Sequence, residues 1–315
     1  MPDEHVLAEL LTAVAARLGD ADARLAEHYP GDRGVRQPLH TVYVPANACT
    51  SEVIDTWSHD ALLALETHGS DTLLDALDLP SPSDDLVPRV VRKLTDQPIE
   101  DLRIDFEDGY RPSADDDEDA DAAAAVAIMR AVSRQPTSPA HIGIRFKSLE
   151  AHTRERGLRT LDIVVHGLAA TGGLPRGFVL TLPKVTSVAQ VEAMVETCEV
   201  LERAYGLDRH TLVFELQIET PQSILGSDGR ATVAPMIHAA AGRCTGVHYG
   251  TYDYAAASGI APAFQSMEHP VADHAKATMH VAVAGTGVFM SDGSTNVLPV
   301  GATAEVRAAW ALHAR

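Results

Sequence analysis

Two apolar runs near the middle of the chain each give way to an acid. Leu212-Val-Phe-Glu-Leu-Gln-Ile-Glu-Thr220 carries Glu219 at its end, and Cys244-Thr-Gly-Val-His-Tyr-Gly-Thr-Tyr-Asp-Tyr254 carries Asp253. Hard oxygen donors with positions left open suit Mg²⁺, which is octahedral and takes one or two protein carboxylates, leaving the rest to water and substrate. Either acid could instead cap a helix or pair with an arginine. A third acidic place is Asp105-Phe-Glu-Asp108. Alternation along an extended strand puts Asp105 and Glu107 on one face, with Phe106 and Asp108 on the other. Acids this dense cannot all be buried and charged without a cation. One with a raised pKa could serve as general acid or base. The group could equally be a strand tip salt-bridged to Arg103, Arg111 or Arg145. Arg145 interrupts the apolar Ile-Gly-Ile-Arg-Phe run. Its planar fork suits a substrate carboxylate held by two hydrogen bonds, and it could also neutralise Asp105–Asp108. Lys184, in Leu-Thr-Leu-Pro-Lys-Val, also ends a strand-like run. A Schiff base is conceivable there, although ion pairing is the commoner role.

Glu219 and Asp253 lie 34 positions apart, a spacing that suits two successive βα units of a parallel barrel. In that architecture the chemistry gathers at the carboxyl ends of the strands. The other strand candidates are Thr41–Asn47, Asp101–Gly109, His141–Lys147, Gly177–Val185 and Gly287–Gly293. They recur at a steady interval from the second onward, with helical patterns between them. An amphipathic helix is expected over about residues 4–27, with Val6, Leu10, Leu11, Val14 and Leu18 along one face. Residues from about 51 to 97 are helix-rich and broken by Leu79-Pro-Ser-Pro-Ser83. Ala122–Val132 is a strong helix, and Asp115–Asp119 reads as its solvated, dipole-favoured cap. Further helices are expected over about 269–284 and 302–314. The fold class is α/β, a TIM-type (β/α)8 barrel, read as a single domain over residues 1–315 with an N-terminal helix. Seven strands are counted where a closed barrel has eight. The last strand is therefore missing from this chain, supplied by another segment, or the barrel is open.

Composition bounds the function. Of 315 residues, 45% are hydrophobic, enough for a sizeable core. The formal net charge of −19 argues against broad binding to nucleic acid or anionic membranes. Only Lys93, Lys147, Lys184 and Lys276 are lysines, so the basic residues are mostly arginine. Cys49, Cys198 and Cys244 lie far apart and support neither a disulfide framework nor a zinc site. The acidic start Met1-Pro-Asp-Glu-His lacks the basic opening of a signal peptide, so a cytoplasmic protein is expected. No phosphate loop, dinucleotide fingerprint or nucleophile elbow is present. His248 and His280 sit in apolar runs and read as satisfied core histidines.

The pieces together resemble the citrate lyase β-subunit and hydroxy-oxo-acid aldolase superfamily, which includes the malate synthase barrel. Tyr43-Val-Pro-Ala-Asn47 is similar to its opening strand motif, and Ile104-Asp-Phe-Glu-Asp-Gly109 to its Asp-Leu-Glu-Asp segment. Ile144-Arg-Phe, Leu182-Pro-Lys-Val185, Ile218-Glu-Thr220 and Gly250-Thr-Tyr-Asp-Tyr254 follow in the family's order. The resemblance implies a Mg²⁺-dependent barrel that makes or breaks a carbon–carbon bond in a small 2-oxo or hydroxy (di)carboxylic acid, through a stabilised enolate. By that resemblance Glu219 and Asp253 would ligate the metal. Arg145 would hold the substrate, with Asp105 and Lys184 beside it, and Glu107 and Asp108 would lie in the same pocket as acid or base. An acyl-CoA ester lyase or malate synthase-like condensing enzyme is an alternative, as is an inactive ligand-binding or regulatory barrel. A homo-oligomer is expected. The family's histidine base near the second strand is not visible. The malate synthase C-terminal domain and the Ile-His-Pro closing segment are expected to be missing from this chain.

Overall fold

The computed structural model describes residues 4–77, 84–295, 297–298, 300–301 and 304–314. The expected break at Leu79–Ser83 lies outside them. Seven strands are described: β1 (Val42–Pro45), β2 (Asp101–Asp105), β3 (His141–Arg145), β4 (Phe178–Leu182), β5 (Phe214–Ile218), β6 (Cys244–Tyr249) and β7 (Phe289–Ser291). They form one sheet in chain order, and every neighbouring pair is parallel. The sheet curls into a TIM-type half-barrel. The described helices are α1 (Glu4–His28), α2 (Val53–His68), α3 (Ser70–Leu77), α4 (Leu86–Asp96), α5 (Asp115–Val132), α6 (Arg154–Ala170), α7 (Val188–Tyr205), α8 (Pro221–Ile224), α9 (Val233–Ala239), α10 (Thr251–Ala257), α11 (Pro270–Val283) and α12 (Ala304–Ala314).

Alternation explains the layers. One row of side chains, including Leu102, Ile104, Ile142, Ile144, Leu180, Phe214 and Leu216, is buried in a single core with Met129 of α5, Val164 of α6 and Met194 of α7. The opposite row faces the barrel interior and is polar. Arg103 is fully buried. Its Nη2 donates to Glu215 Oε2 at 2.8 Å, its Nε donates to Thr181 Oγ1 at 3.1 Å, and it pairs with Asp101. Barrel interiors are ordinarily filled by bulky branched side chains; here ionic pairs take that place. Gly143 lets two strands approach, because a Cβ there would lie 1.7 Å from Val179 O.

Each strand ends earlier than its apolar run. The runs expected to 109, 147, 185, 220 and 254 stop at 105, 145, 182, 218 and 249. The loop residues Phe106, Phe146 and Val185 just beyond the strand ends are themselves fully buried, so hydrophobicity does not mark the strand end. His248 is held in the interior, with Nδ1 2.6 Å from Ser291 Oγ and Nε2 2.9 Å from Glu215. His280 is not a core residue: it lies on an exposed face of α11. The Asp115–Asp119 acids are not all solvated either. Glu118 is buried and bonds Lys147 Nζ at 2.5 Å and Thr160 Oγ1 at 2.6 Å.

Among the described residues, no strand pairs with the outer edge of β1 or β7. The segment between α1 and β1 bridges this gap. Gly31 N donates to Gly285 O at 2.8 Å, Gln37 Nε2 to Met290 O at 2.6 Å and Leu39 N to Glu100 Oε2 at 2.7 Å. On the outside α12 packs against α3. A cavity of about 400 Å³ opens at the amino-terminal ends of the strands, lined by Arg33, His141, Leu174, Phe178 and Glu215 among others. No described helix is long and apolar enough to cross a membrane.

Candidate active site

The residues singled out in the sequence meet at the other end of the barrel, where the strands finish. β2 ends on Asp105 and turns through Glu107 and Asp108; β3 ends on Arg145; Lys184 and Glu219 follow β4 and β5. Asp253 is not at a strand tip. It sits in the first turn of α10, three residues after Gly250, where the helix dipole favours an acid. One carboxylate oxygen from each of Asp108, Glu219 and Asp253 lies within 4.8 Å of the others. Glu219 is the buried floor of this cluster, while the Asp108 and Asp253 side chains are 52% and 40% exposed at its rim. Gly250 makes room for the floor, since a Cβ there would stand 2.4 Å from Glu219 Cβ.

Lys184 ties the cluster together. Its backbone adopts a φ of 51°, unusual for a side chain with a Cβ. That turn aims its N–H at Glu219 Oε1, 2.7 Å away. Its Nζ donates to Asp108 Oδ1 at 2.7 Å and to Glu107, and lies 3.3 Å from Asp253 Oδ2. Burial works against the ammonium, but Asp108 and Glu107 outweigh it and push its pKa up. The alternation expected beyond Asp105 is therefore broken. The strand has ended, and Glu107 and Asp108 turn together onto one lysine.

Arg145 forms the adjoining wall. Its Nε and Nη2 donate to Asp105 Oδ1 and Oδ2, both at 2.7 Å. Nη1 donates to Gln217 Oε1 at 3.2 Å and lies 3.6 Å from Glu107. Its guanidinium stacks 4.6 Å from the centre of the Tyr43 ring. One full edge of the fork is therefore engaged by Asp105, and Nη1 is the donor turned towards the acids. Asp105 is itself buried and also accepts from Glu107 N at 3.0 Å.

The carboxylates carry more negative charge than the site neutralises. Burial raises Glu219 to about 8, and the charges of Glu107 and Asp253 add to that. Burial raises Glu107 to about 7, aided by Asp108. Burial also pushes Asp108 upward, yet hydrogen bonds from Glu107 and Lys184 hold it below its ordinary value. Carboxylates near neutrality can exchange protons at working pH. The sequence reading gave no site role to Gln217, or to Tyr43 within its strand motif. Gln217 shares the period-two face of Glu215 and Glu219 in Phe-Glu-Leu-Gln-Ile-Glu, which was the available signal.

The structure resembles a citrate lyase from Burkholderia xenovorans LB400 with a TM-score of 0.50 at 18% identity, over 69% of this chain and 63% of that one. A magnesium/glyoxylate complex of Haloferax volcanii malate synthase gives 0.46 at 17% identity, over 68% and 60%. An HpcH/Hpal aldolase/citrate lyase family protein from Burkholderia cenocepacia J2315 gives 0.40 at 17%, over 61% and 69%. The likeness to the citrate lyase is one of fold, and the chain spans less than two thirds of that protein's length. No curated protein matches the chain. A family model described as "Domain of unknown function (DUF6986)" matches residues 18–315.

Proposed function

We propose that this chain, which belongs to the DUF6986 family, is a Mg²⁺-dependent carbon–carbon lyase or aldolase acting on a small 2-oxo or hydroxy (di)carboxylic acid. The observation that carries this reading is the cluster of Asp108, Glu219 and Asp253 oxygens at the carboxyl ends of parallel strands. The donor set is all hard oxygen, graded from a buried floor to an open rim, as a cation shared with water and substrate requires. Burial, with the charges of Glu107 and Asp253, holds Glu219 near 8, and a divalent ion would favour its ionised form. Glu219, Asp253 and Asp108 would hold the ion, which when bound would supply concentrated positive charge beside a carbonyl oxygen.

The chain's own groups do the rest. Arg145 is fixed by Asp105 and Tyr43, so its Nη1 is a preorganised donor for a substrate carboxylate or a developing enolate oxygen. Glu107 stands between Arg145 and Lys184 with a pKa of about 7. In the cleavage direction it takes the proton of the hydroxyl on the carbon that becomes the carbonyl product. The electrons of the broken carbon–carbon bond pass to the 2-oxo acid as its enolate, and a proton returned to the enolate carbon completes the cycle. Lys184 helps to hold Asp108 below its ordinary pKa, keeping it apart from that exchange.

Calorimetric titration of Mg²⁺, then of pyruvate or oxaloacetate, tests the assignment in wild type and in Glu219→Gln. The variant should bind Mg²⁺ at least about tenfold more weakly, the scale of losing one partner of a metal site. Equal affinity in the two proteins would remove Glu219 from the site. A screen of 2-oxo acids with aldehydes, and of acyl-CoA esters, identifies the reaction. Ligand binding without turnover of any of them would mark the barrel as a binding protein instead.

A further inference from the structure

α1 has 25 residues and buries none of them. Val6, Leu7, Leu10, Leu11, Val14, Leu18 and Leu25 are each between 45% and 62% exposed. Its root is fixed to the barrel, where His28 stacks on His238 with ring centres 4.2 Å apart and Tyr29 meets the same ring edge-on. Beyond that root the helix stands free of the core. Helices in proteins draw most of their stability from packing an apolar face, and Gly19 in the interior weakens this one further.

The spacing of its apolar residues identifies what would cover it. Leu7, Leu11, Val14, Leu18, Ala21 and Leu25 follow one another in alternating steps of four and three. A 3.5-residue repeat kept from residue 7 to residue 25 is the spacing of a coiled-coil seam. With Leu11, Leu18 and Leu25 at the a positions and Leu7, Val14 and Ala21 at d, the g positions are Leu10, Arg17 and Arg24. The e positions are Ala8, Ala15 and Asp22. In a parallel pair, each g side chain faces the e side chain five residues further along the partner helix. Leu10 then meets Ala15, and Arg17 meets Asp22, each twice by symmetry. An antiparallel pair would set g beside g, arginine against arginine. The charges therefore select one partner and one direction.

We infer that α1 is the association element of this protein, forming a parallel coiled coil with α1 of a second copy of the same chain. The inference is independent of the chemistry proposed above, because α1 contributes no residue to the site.

Sedimentation equilibrium of the 315-residue chain tests it. Wild type should self-associate, and Leu11→Glu with Leu18→Glu should abolish that association. Arg17→Glu and Asp22→Arg alone each set like charges against one another and should weaken it about tenfold. An equimolar mixture of these two single variants should restore it, because the substituted side chains then face each other with opposite signs. An unchanged near-UV circular dichroism spectrum and thermal melt in every variant show that the barrel stays folded. A monomeric wild type, association indifferent to the charge changes, or a mixture that fails to recover would each overturn the inference.

Discussion

At the residue scale, the site turns on one buried acid and one lysine. Glu219 holds its proton up to about 8 because burial and the Glu107 charge penalise the ionised form. A cation competes with that proton, so Mg²⁺ affinity should fall as pH drops from 8 towards 6, and binding should release protons. Calorimetry in buffers of different ionisation enthalpy reads both effects. The linkage to stability has the matching sign. A carboxyl whose folded pKa lies above its ordinary 4.5 favours the folded state at low pH, and that advantage is lost as pH rises through about 8. Thermal melts should therefore show the Mg²⁺-induced rise in Tm growing from pH 6 to pH 8.5, with Glu219→Gln flattening the trend. Lys184 is the cation already among these acids. Lys184→Met should tighten Mg²⁺ binding severalfold in the same titration, whereas a lysine that assists the metal would make the variant bind more weakly. Arg145→Lys keeps a charge but loses the planar fork, so affinity for a 2-oxo acid should fall about tenfold with Mg²⁺ binding retained.

At the scale of elements, the strand tips place the chemistry and two glycines permit it. Gly143 faces Val179 O across β3 and β4, and a methyl group would lie 1.7 Å from that oxygen. Gly143→Ala must force the two strands apart. Chemical denaturation should show a loss of about 3 kcal/mol or more, at the large end for single substitutions. Gly250→Ala would collide instead with the Glu219 side chain; its signature should be lost Mg²⁺ binding with a smaller loss of stability. The apolar runs named the strands correctly in order, but hydrophobicity carried on into loops whose first residues are buried. The sequence therefore overran every carboxyl-terminal boundary, and the run containing Asp253 hid the start of α10.

At the scale of the whole molecule, the barrel is built around buried charge. Arg103 lies between Asp101 and Glu215 with no exposure of its own. Removing one member of such a group leaves an uncompensated charge, so Arg103→Met should cost about 3–5 kcal/mol by urea denaturation. Glu215 is held far below its ordinary 4.5, against the push of burial, by Arg103 and His248. The stability it contributes is present above 4.5 and lost as pH falls below that, so acid unfolding should begin there. The amino-acid order alone determined the parallel α/β architecture, the seven strands and the acids at their ends, because these follow from local periodicity and from which residues tolerate burial. It left Arg145 divided between substrate and Asp105, and it could not place Asp108 with Glu219 and Asp253 rather than across the strand from Glu107. Tertiary structure set Arg145 against Asp105 and brought the three acids together. Distances between residues 40 to 145 positions apart are set by how strands register and curl, and no local pattern encodes that convergence.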